Sequence, residues 1–364
     1  MIIQEVIDHI EEFAPTAYAE DFDNVGLLVG DAQTEVNGAL ITLDTLESVV
    51  DEAIEKNCNL IISFHPIIFS GLKKLNGKNY VERTVIKAIQ HNIAIYAIHT
   101  ALDNQYKGVN DMISEKLKLK NRQILIPRRN SIKKLTTFIP TADADKLRKA
   151  LFAAGAGSIG NYDNCSFNLE GKGSFKPNED ANPTIGEVGE VHFEEETQIG
   201  VTYPVHSEDK ILKTLFQNHP YEEVAYEISS LGNSHQHLGM GMIGELENET
   251  EEEEFLKLVK KTFHSGCVRH SKLRGKPVKR VAVLGGSGSF AIEQAKKAGA
   301  DMYITADLKY HDFYKAEEKL VLADIGHYES EQFTKNLLHS YLTKKISNFA
   351  LILADTNTNP IKYI

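Results

Sequence analysis

The chain has 364 residues, enough for two or three domains of ordinary size, each able to bury a core without disulfides or structural metal. Apolar residues make up 42% and charged residues 25%, the balance of a globular protein and not of a disordered one. Lys and Arg number 40 against 51 Asp and Glu, a net charge of −11, which argues against a protein that tracks nucleic-acid backbones.

The first fifteen residues, MIIQEVIDHIEEFAP, carry acids at amphipathic spacing. They predict a folded helix over 2–13 instead of a signal peptide. A loop with Asp23-Asn24-Val25-Gly26 follows, then a strand over 38–44, a helix over 47–57 and a strand over 59–65. A helix over 80–91 leads to a strand over 94–100. These strands are short and rich in Ile, which suits a parallel sheet buried on both faces.

At 126–130 the segment IPRRN breaks that rhythm, and LGNSHQHLGMG at 231–241 breaks it again. Between them the pattern reads βαββαβ, the order of a ferredoxin-like split motif. About a hundred residues is too long for a loop and predicts a domain of its own.

The last third resumes the α/β alternation. A strand over 279–286 enters a Gly-rich turn and a helix. Apolar runs follow at 302–308, 320–326 and 349–355, with a helix over 329–342 between the last two. The expected architecture is a discontinuous α/β domain, 1–126 with 236–364, built on one mostly parallel, helix-covered sheet. Residues 127–235 form the α+β insert. No run approaches the roughly 18 apolar residues of a membrane span. Cys58, Cys165 and Cys267 are odd in number and widely spaced; they form no disulfide framework or zinc knuckle and fit a reducing, cytoplasmic setting.

Ligands of open α/β sheets bind beyond the carboxyl ends of the strands. Polar groups fall at those ends here: Asp44, His65, His99, Gly285-Gly286, Asp307, His327 and Asp355. A single such His is usually structural, but three at one edge point to a site. His99 with Asp103, and His327 with Glu331, are four residues apart, so a helical turn would put each pair on one face. For Glu331 the plainer reading is a favourable helix N-terminus. His and carboxylate without Cys suits Zn, Mn, Fe or Co. Two ions about 3.5–4 Å apart under a bridging carboxylate would activate water. Thr305–Asp312 contains Lys309 and His311, which suit acid–base work or phosphate contact, or equally a polar helix entry. Gly286 and Ser287 lie in a turn between strand and helix, where a phosphate cradle would sit, although the P-loop lysine is absent.

Together these motifs resemble the GTP cyclohydrolase 1 type 2 family, also called NIF-three-like, in its long bacterial form. The matching stretches are Asp23–Gly30, Ser63-Phe-His-Pro66, Ile98–Asp103, Gly285–Gly288, Thr305–Asp312 and Gly326–Glu331. The insert resembles the PII/CutA-like module of that family through Gly155-Ala-Gly157, Ile159–Tyr162, Cys165-Ser-Phe167 and His219–Tyr226.

The resemblance implies two divalent metal ions per subunit, zinc first, with Mn, Fe or Co as alternatives. It implies His65, Asp103, His327 and Glu331 as ligands, Asp103 and Glu331 bridging. Members commonly carry two consecutive histidines where this chain has Phe64-His65, so His99 or a water would complete that ligand set. It further implies a toroidal homohexamer and the opening of the GTP purine ring to dihydroneopterin triphosphate. His311 would then be the proton shuttle, with Lys309, Gly286 and Ser287 on the phosphates. The expected function is metal-dependent hydrolysis of a small nucleotide. The alternative is a non-catalytic metal-binding regulatory or scaffold protein. A ring threaded by nucleic acid is disfavoured by the net charge, and no membrane association is expected.

Overall fold

Ile3, Val6, Ile7 and Ile10 recur at helical spacing, and they form the buried stripe of α1 (Ile3–Phe13) in the computed structural model, which describes residues 1–364. The chain continues through β1 (Gly26–Val29), β2 (Ala39–Thr42), α2 (Glu47–Glu55), β3 (Leu60–Ser63), α3 (Tyr80–Gln90) and β4 (Ala94–Ala97). Then come α4 (His99–Asn104), α5 (Val109–Lys116) and β5 (Lys120–Arg129). The next stretch holds β6 (Ile132–Pro140), α6 (Ala144–Ala153), β7 (Phe167–Phe175), β8 (His192–Pro204), α7 (Glu208–Asn218) and β9 (Tyr226–Leu231). The chain returns through β10 (Ser234–Thr250), α8 (Glu252–Thr262), β11 (Arg269–His270), β12 (Val278–Ser287), α9 (Ile292–Lys297) and β13 (Met302–Ala306). It ends with β14 (Val321–Asp324), α10 (His327–Glu331), α11 (Thr334–Lys345) and β15 (Leu351–Leu353). No helix is long and apolar enough to cross a membrane.

The structure divides into two units, residues 1–127 with 237–364, and residues 128–236. Where the sequence predicts one sheet for the first unit, the structure has two. One runs β1-β4-β3-β2-β15, the other β11-β14-β13-β12-β10-β5. In the first, β15, β2, β3 and β4 are parallel and β1 closes the edge antiparallel to β4. In the second, β12, β13 and β14 are parallel, with β10 and β11 antiparallel beside them. Antiparallel strands thus flank the parallel run on one side in the first sheet and on both sides in the second, and both sheets bury a face on a single core. Ile41, Ile62 and Tyr96 from one sheet share it with Val281, Val283 and Ile304 from the other, together with Ile113 of α5 and Leu338 of α11.

Both segments read as breaks in the rhythm are strands. IPRRN ends β5, where Pro127 is tolerated because β5 is an edge strand. The second lies largely in β10, and its glycines reflect close backbone approach: a Cβ on Gly239 would stand 2.2 Å from the Ile126 carbonyl oxygen. The helix expected over 329–342 is instead two helices. Gln332 donates to the Phe263 carbonyl, and the Phe333 ring packs against Phe263 and His264, turning the chain between α10 and α11.

The second unit carries one antiparallel sheet in the order β7-β8-β6-β9. Strands one to four of this βαββαβ segment thus lie in the spatial order 4-1-3-2 of the split motif. Its core, with Leu135, Leu147, Leu151, Ile199, Ile211 and Leu215, is separate from the first unit's.

Candidate metal centre

The carboxyl ends of both sheets of the first unit deliver the polar groups. Asp44 follows β2 and His65 follows β3, while His99 and Asp103 lie in α4 directly after β4. Asp307 follows β13, and α10 presents His327 and Glu331 one helical turn apart. The backbone is tightly held here: His65 N–H donates to Leu43 O at 2.9 Å and His99 N–H to Phe64 O at 2.9 Å. His99 (φ +29°) and Asp307 (φ +55°) occupy left-handed backbone conformations. That is a strain of about 1–3 kcal/mol each, which tends to gather at functional sites.

Each of three imidazoles has its Nδ1 against a carboxylate. His65 meets Asp44 Oδ1 at 2.7 Å, His99 meets Asp23 Oδ1 at 2.7 Å, and His327 meets Asp307 Oδ2 at 2.6 Å. Such a pairing fixes the tautomer and leaves Nε2 as the outward nitrogen. The Nε2 atoms of His65 and His327 then stand 3.0 and 3.1 Å from Glu331 Oε2 and 3.4 Å from each other. Neutral rings would bring three acceptors face to face, which demands protons or a cation between them. Ligands about 2.0–2.2 Å from one tetrahedral ion stand roughly 3.3–3.6 Å apart, close to the spacing seen.

The electrostatics say the same. Burial opposes the charge on His65, yet Glu331 and Asp44 hold its pKa up at about 9. His327 is likewise held up, at about 11, by Glu331 and Asp307. Burial alone would raise Glu331, but His327 and His65 push it well below the usual carboxylate range. Asp103 is raised well above that range, by burial first and then by the charge of Glu331. Asp103 Oδ1 is buried without a hydrogen-bond partner, and the buried Glu331 Oε2 has only the two imidazoles at 3.0 and 3.1 Å to offset its charge. Buried carboxylate oxygens without donors are costly unless a cation is nearby.

Gly286 sits at φ +67°, and a Cβ there would be 2.3 Å from Glu331 Oε1. The residue is glycine so that β12 can pass directly under the Glu331 carboxylate. Phe64, the residue before His65, is fully buried, its ring 4.9 Å from His65 and edge-on to His99 at 5.6 Å.

Of the four residues expected as ligands, His65, His327 and Glu331 bring ligand atoms within 4.8 Å of one another. Asp103 lies beside them, within reach of the charges of Glu331, His65 and His327. The His99 ring is 5.3 Å from that of His65. A cavity of about 330 Å³ opens over the cluster, lined by Asp44, His65, His99 and His327, by apolar Leu43, Pro66 and Phe69, and by Tyr328 and the segment Asn359–Ile361.

The residues expected at phosphate are placed differently. Gly285 N–H donates to Asn110 Oδ1 and Gly286 N–H to Ser330 Oγ, so the turn's amides are engaged within the protein. Ser287 Oγ donates to Asp307 Oδ2. Lys309 and His311 are exposed and do not line the cavity; His311 stacks edge-on with Tyr310 at 5.2 Å. Sequence alone gives Asp23 and Asp44 no individual role and Asp307 only a share in the polar Thr305–Asp312 stretch, although Asp44 and Asp307 stand at strand ends. Their signal was position alone; the pairing with particular histidines is a matter of distance in space.

A discontinuous α/β unit with a His/carboxylate cluster across two sheet ends, interrupted by an α+β insert, has close counterparts among known proteins. Residues 1–360 match the family described as Duf34/NIF3 (NGG1p interacting factor 3), and the chain belongs to that family. It is 39% identical over 366 residues to the "GTP cyclohydrolase 1 type 2 homolog" of Bacillus subtilis, covering 99% of this chain and 98% of the relative. It is 38% identical to the protein of the same name in Halalkalibacterium halodurans, with the same coverage. Among solved structures it superposes on a Bacillus cereus protein related to NIF3 with a TM-score of 0.88 at 36% identity, covering 100% of this chain and 99% of that one. A Staphylococcus aureus protein gives a TM-score of 0.79 at 31% identity, with the same coverage.

Proposed function

We propose that this chain is a metal-dependent hydrolase of a small nucleotide. It would bind two divalent ions per subunit, zinc first among Zn, Mn, Fe and Co, through His65, Asp103, His327 and Glu331, with His99 as a further ligand. The carrying observation is the convergence of the outward Nε2 atoms of His65 and His327 on the buried Glu331 carboxylate, with the buried Asp103 feeling the charge of all three. Ions there would lower the pKa of a bound water and polarise the bond under attack. The protein's own part is to hold each imidazole through a carboxylate and to admit substrate through the 330 Å³ cavity. GTP ring opening is the candidate reaction, supported by the name carried by relatives 38–39% identical. His311, the proton shuttle the resemblance implies, does not line the cavity, whereas His99 does, with Asp23 behind it.

A specific observation favours the second reading, a non-catalytic metal-binding regulatory or scaffold protein. No Lys or Arg lines the cavity, and the Gly285–Gly286 amides are already committed, so this subunit offers no ready grip for a triphosphate. With either reading we propose a PII/CutA-like insert, a homohexamer, and a cytoplasmic setting that suits three free cysteines.

The test is elemental analysis of purified wild type and Asp103→Ala, with GTP consumption assayed on the same samples. About two ions per chain in wild type, lost in the variant together with turnover, supports the hydrolase. Metal lost in the variant but no turnover in wild type supports the second reading. Wild type that stays metal-free after reloading overturns both. Light scattering of the same samples tests the hexamer.

A further inference from the structure

The three histidine–carboxylate pairs share a further feature: a hydroxyl holds each carboxylate. Asp23 Oδ2 accepts from Thr100 Oγ1 and from Thr100 N–H at 3.0 Å. Asp307 Oδ2 accepts from Ser287 Oγ. Asp44 Oδ2 accepts from Thr358 Oγ1 at 2.6 Å. Thr100 and Ser287 sit in regular elements next to the cluster. Thr358 does not: it lies in the last eleven residues, beyond β15, which form no helix or strand.

Segments without helix or strand usually fray unless tied down, and this one is tied down heavily. The carboxylate of Glu52, buried in α2, accepts from Asp355 N–H at 2.7 Å, Thr356 N–H at 3.0 Å and Thr356 Oγ1 at 2.6 Å. Lys56 bridges Glu52 and Asp355 at 2.7 Å each. Lys335 donates to Ala354 O at 2.6 Å, and Asn359 Nδ2 to Glu329 Oε1 at 3.1 Å. The Tyr363 ring lies over Gly266, where a Cβ would be 2.3 Å from it. Two of these anchors, at Glu52 and Glu329, flank Thr358, which is itself buried.

From this we infer that Thr358 is a positioning residue of the metal centre, completing the His65–Asp44 pair in the way Thr100 and Ser287 complete the other two, so that the C-terminal segment is part of the site. The inference rests on the metal-binding reading for its consequence and on geometry for its content. Without the Thr358 hydroxyl, Asp44 loses the donor that fixes its plane, and His65 loses the fixed partner that aims Nε2 at Glu331. Groups that orient a metal-bound histidine are typically worth 10–100-fold in metal affinity.

The experiment uses the full chain with Thr358→Val, close in size but without the hydroxyl, and Thr358→Ser, which keeps it. Zinc affinity is measured by competition with a chelator. In parallel, the Nδ1 proton of His65 is followed by NMR in metal-free protein carrying isotope-labelled histidine. The expected result is a 10–100-fold weaker affinity in Thr358→Val, restored in Thr358→Ser, and an Nδ1 proton signal lost only in Thr358→Val. Thr358→Val with affinity within twofold of wild type and an intact Nδ1 signal overturns the inference. If wild type binds none of Zn, Mn, Fe or Co, the functional reading fails, while the Nδ1 signal still decides whether Thr358 positions His65.

Discussion

Glu331 is pressed between two imidazoles and a glycine, and several consequences follow at the scale of single residues. Gly286→Ala would add a methyl 2.3 Å from Glu331 Oε1 on a backbone at φ +67°. Expected is loss of metal by at least tenfold in affinity, checked by chelator competition, with secondary structure retained by circular dichroism. The protons on the metal-free cluster give a second prediction. His65 and His327 have raised pKa values, about 9 and about 11. The stability from their ion pairs with Glu331 is therefore complete below about pH 6.5 and is lost as pH climbs through 9 and beyond. A metal must displace those protons, so its affinity should rise with pH across that window, and uptake at pH 7 should release protons. Calorimetry in buffers of different ionisation enthalpy reads the release directly; a buffer-independent heat would contradict the protonated state.

At the scale of elements, α2 and the C-terminal segment act together through Glu52. Burial would raise the Glu52 pKa, but Lys56, Thr356 and two backbone amides hold it down at about 2. A depressed carboxylate stabilises above its unfolded value near 4.5 and loses that contribution as pH falls toward 2. The segment should thus stay attached at pH 5 and loosen below pH 4. Glu52→Gln should reproduce that loosening at neutral pH, costing about 1–3 kcal/mol of stability and speeding carboxypeptidase trimming. Unchanged trimming would show that other anchors suffice. The short α10 is the other decisive element: its single turn places His327 and Glu331 on one face, and the pair was legible as a four-residue spacing.

At the scale of the whole molecule, the two units have separate cores. Leu147 is fully buried in the second unit's core and Leu338 in the first unit's. Leu147→Ala should cost about 2–5 kcal/mol, lowering one calorimetric transition while leaving zinc affinity at the wild-type value. Leu338→Ala should lower the other transition. A single transition moved by both variants would mean that the units unfold together.

Much was readable in the sequence alone because its signals are local. Helical spacing in Ile3–Ile10, Ile-rich runs that become β2, β3 and β4, and a βαββαβ order all depend on neighbours within a turn or a strand. So does the placement of His65, His99 and His327 at strand ends. Division of the first unit into two sheets was not readable, since edge closure by β1 and β11 depends on pairing across the fold. The strands hidden in IPRRN and LGNSHQHLGMG were missed for a related reason: proline and glycine signal a break locally, but an edge position and a close backbone approach make them admissible. The engaged amides of Gly285 and Gly286, and the hydroxyl of Thr358 set on Asp44 from 314 residues away, were decided by tertiary structure alone. Spacing along a chain determines which side chains share a face. Only folding determines which carboxylate stands behind which imidazole, because hydrogen bonds are made at under about 3.5 Å in space whatever the separation in sequence.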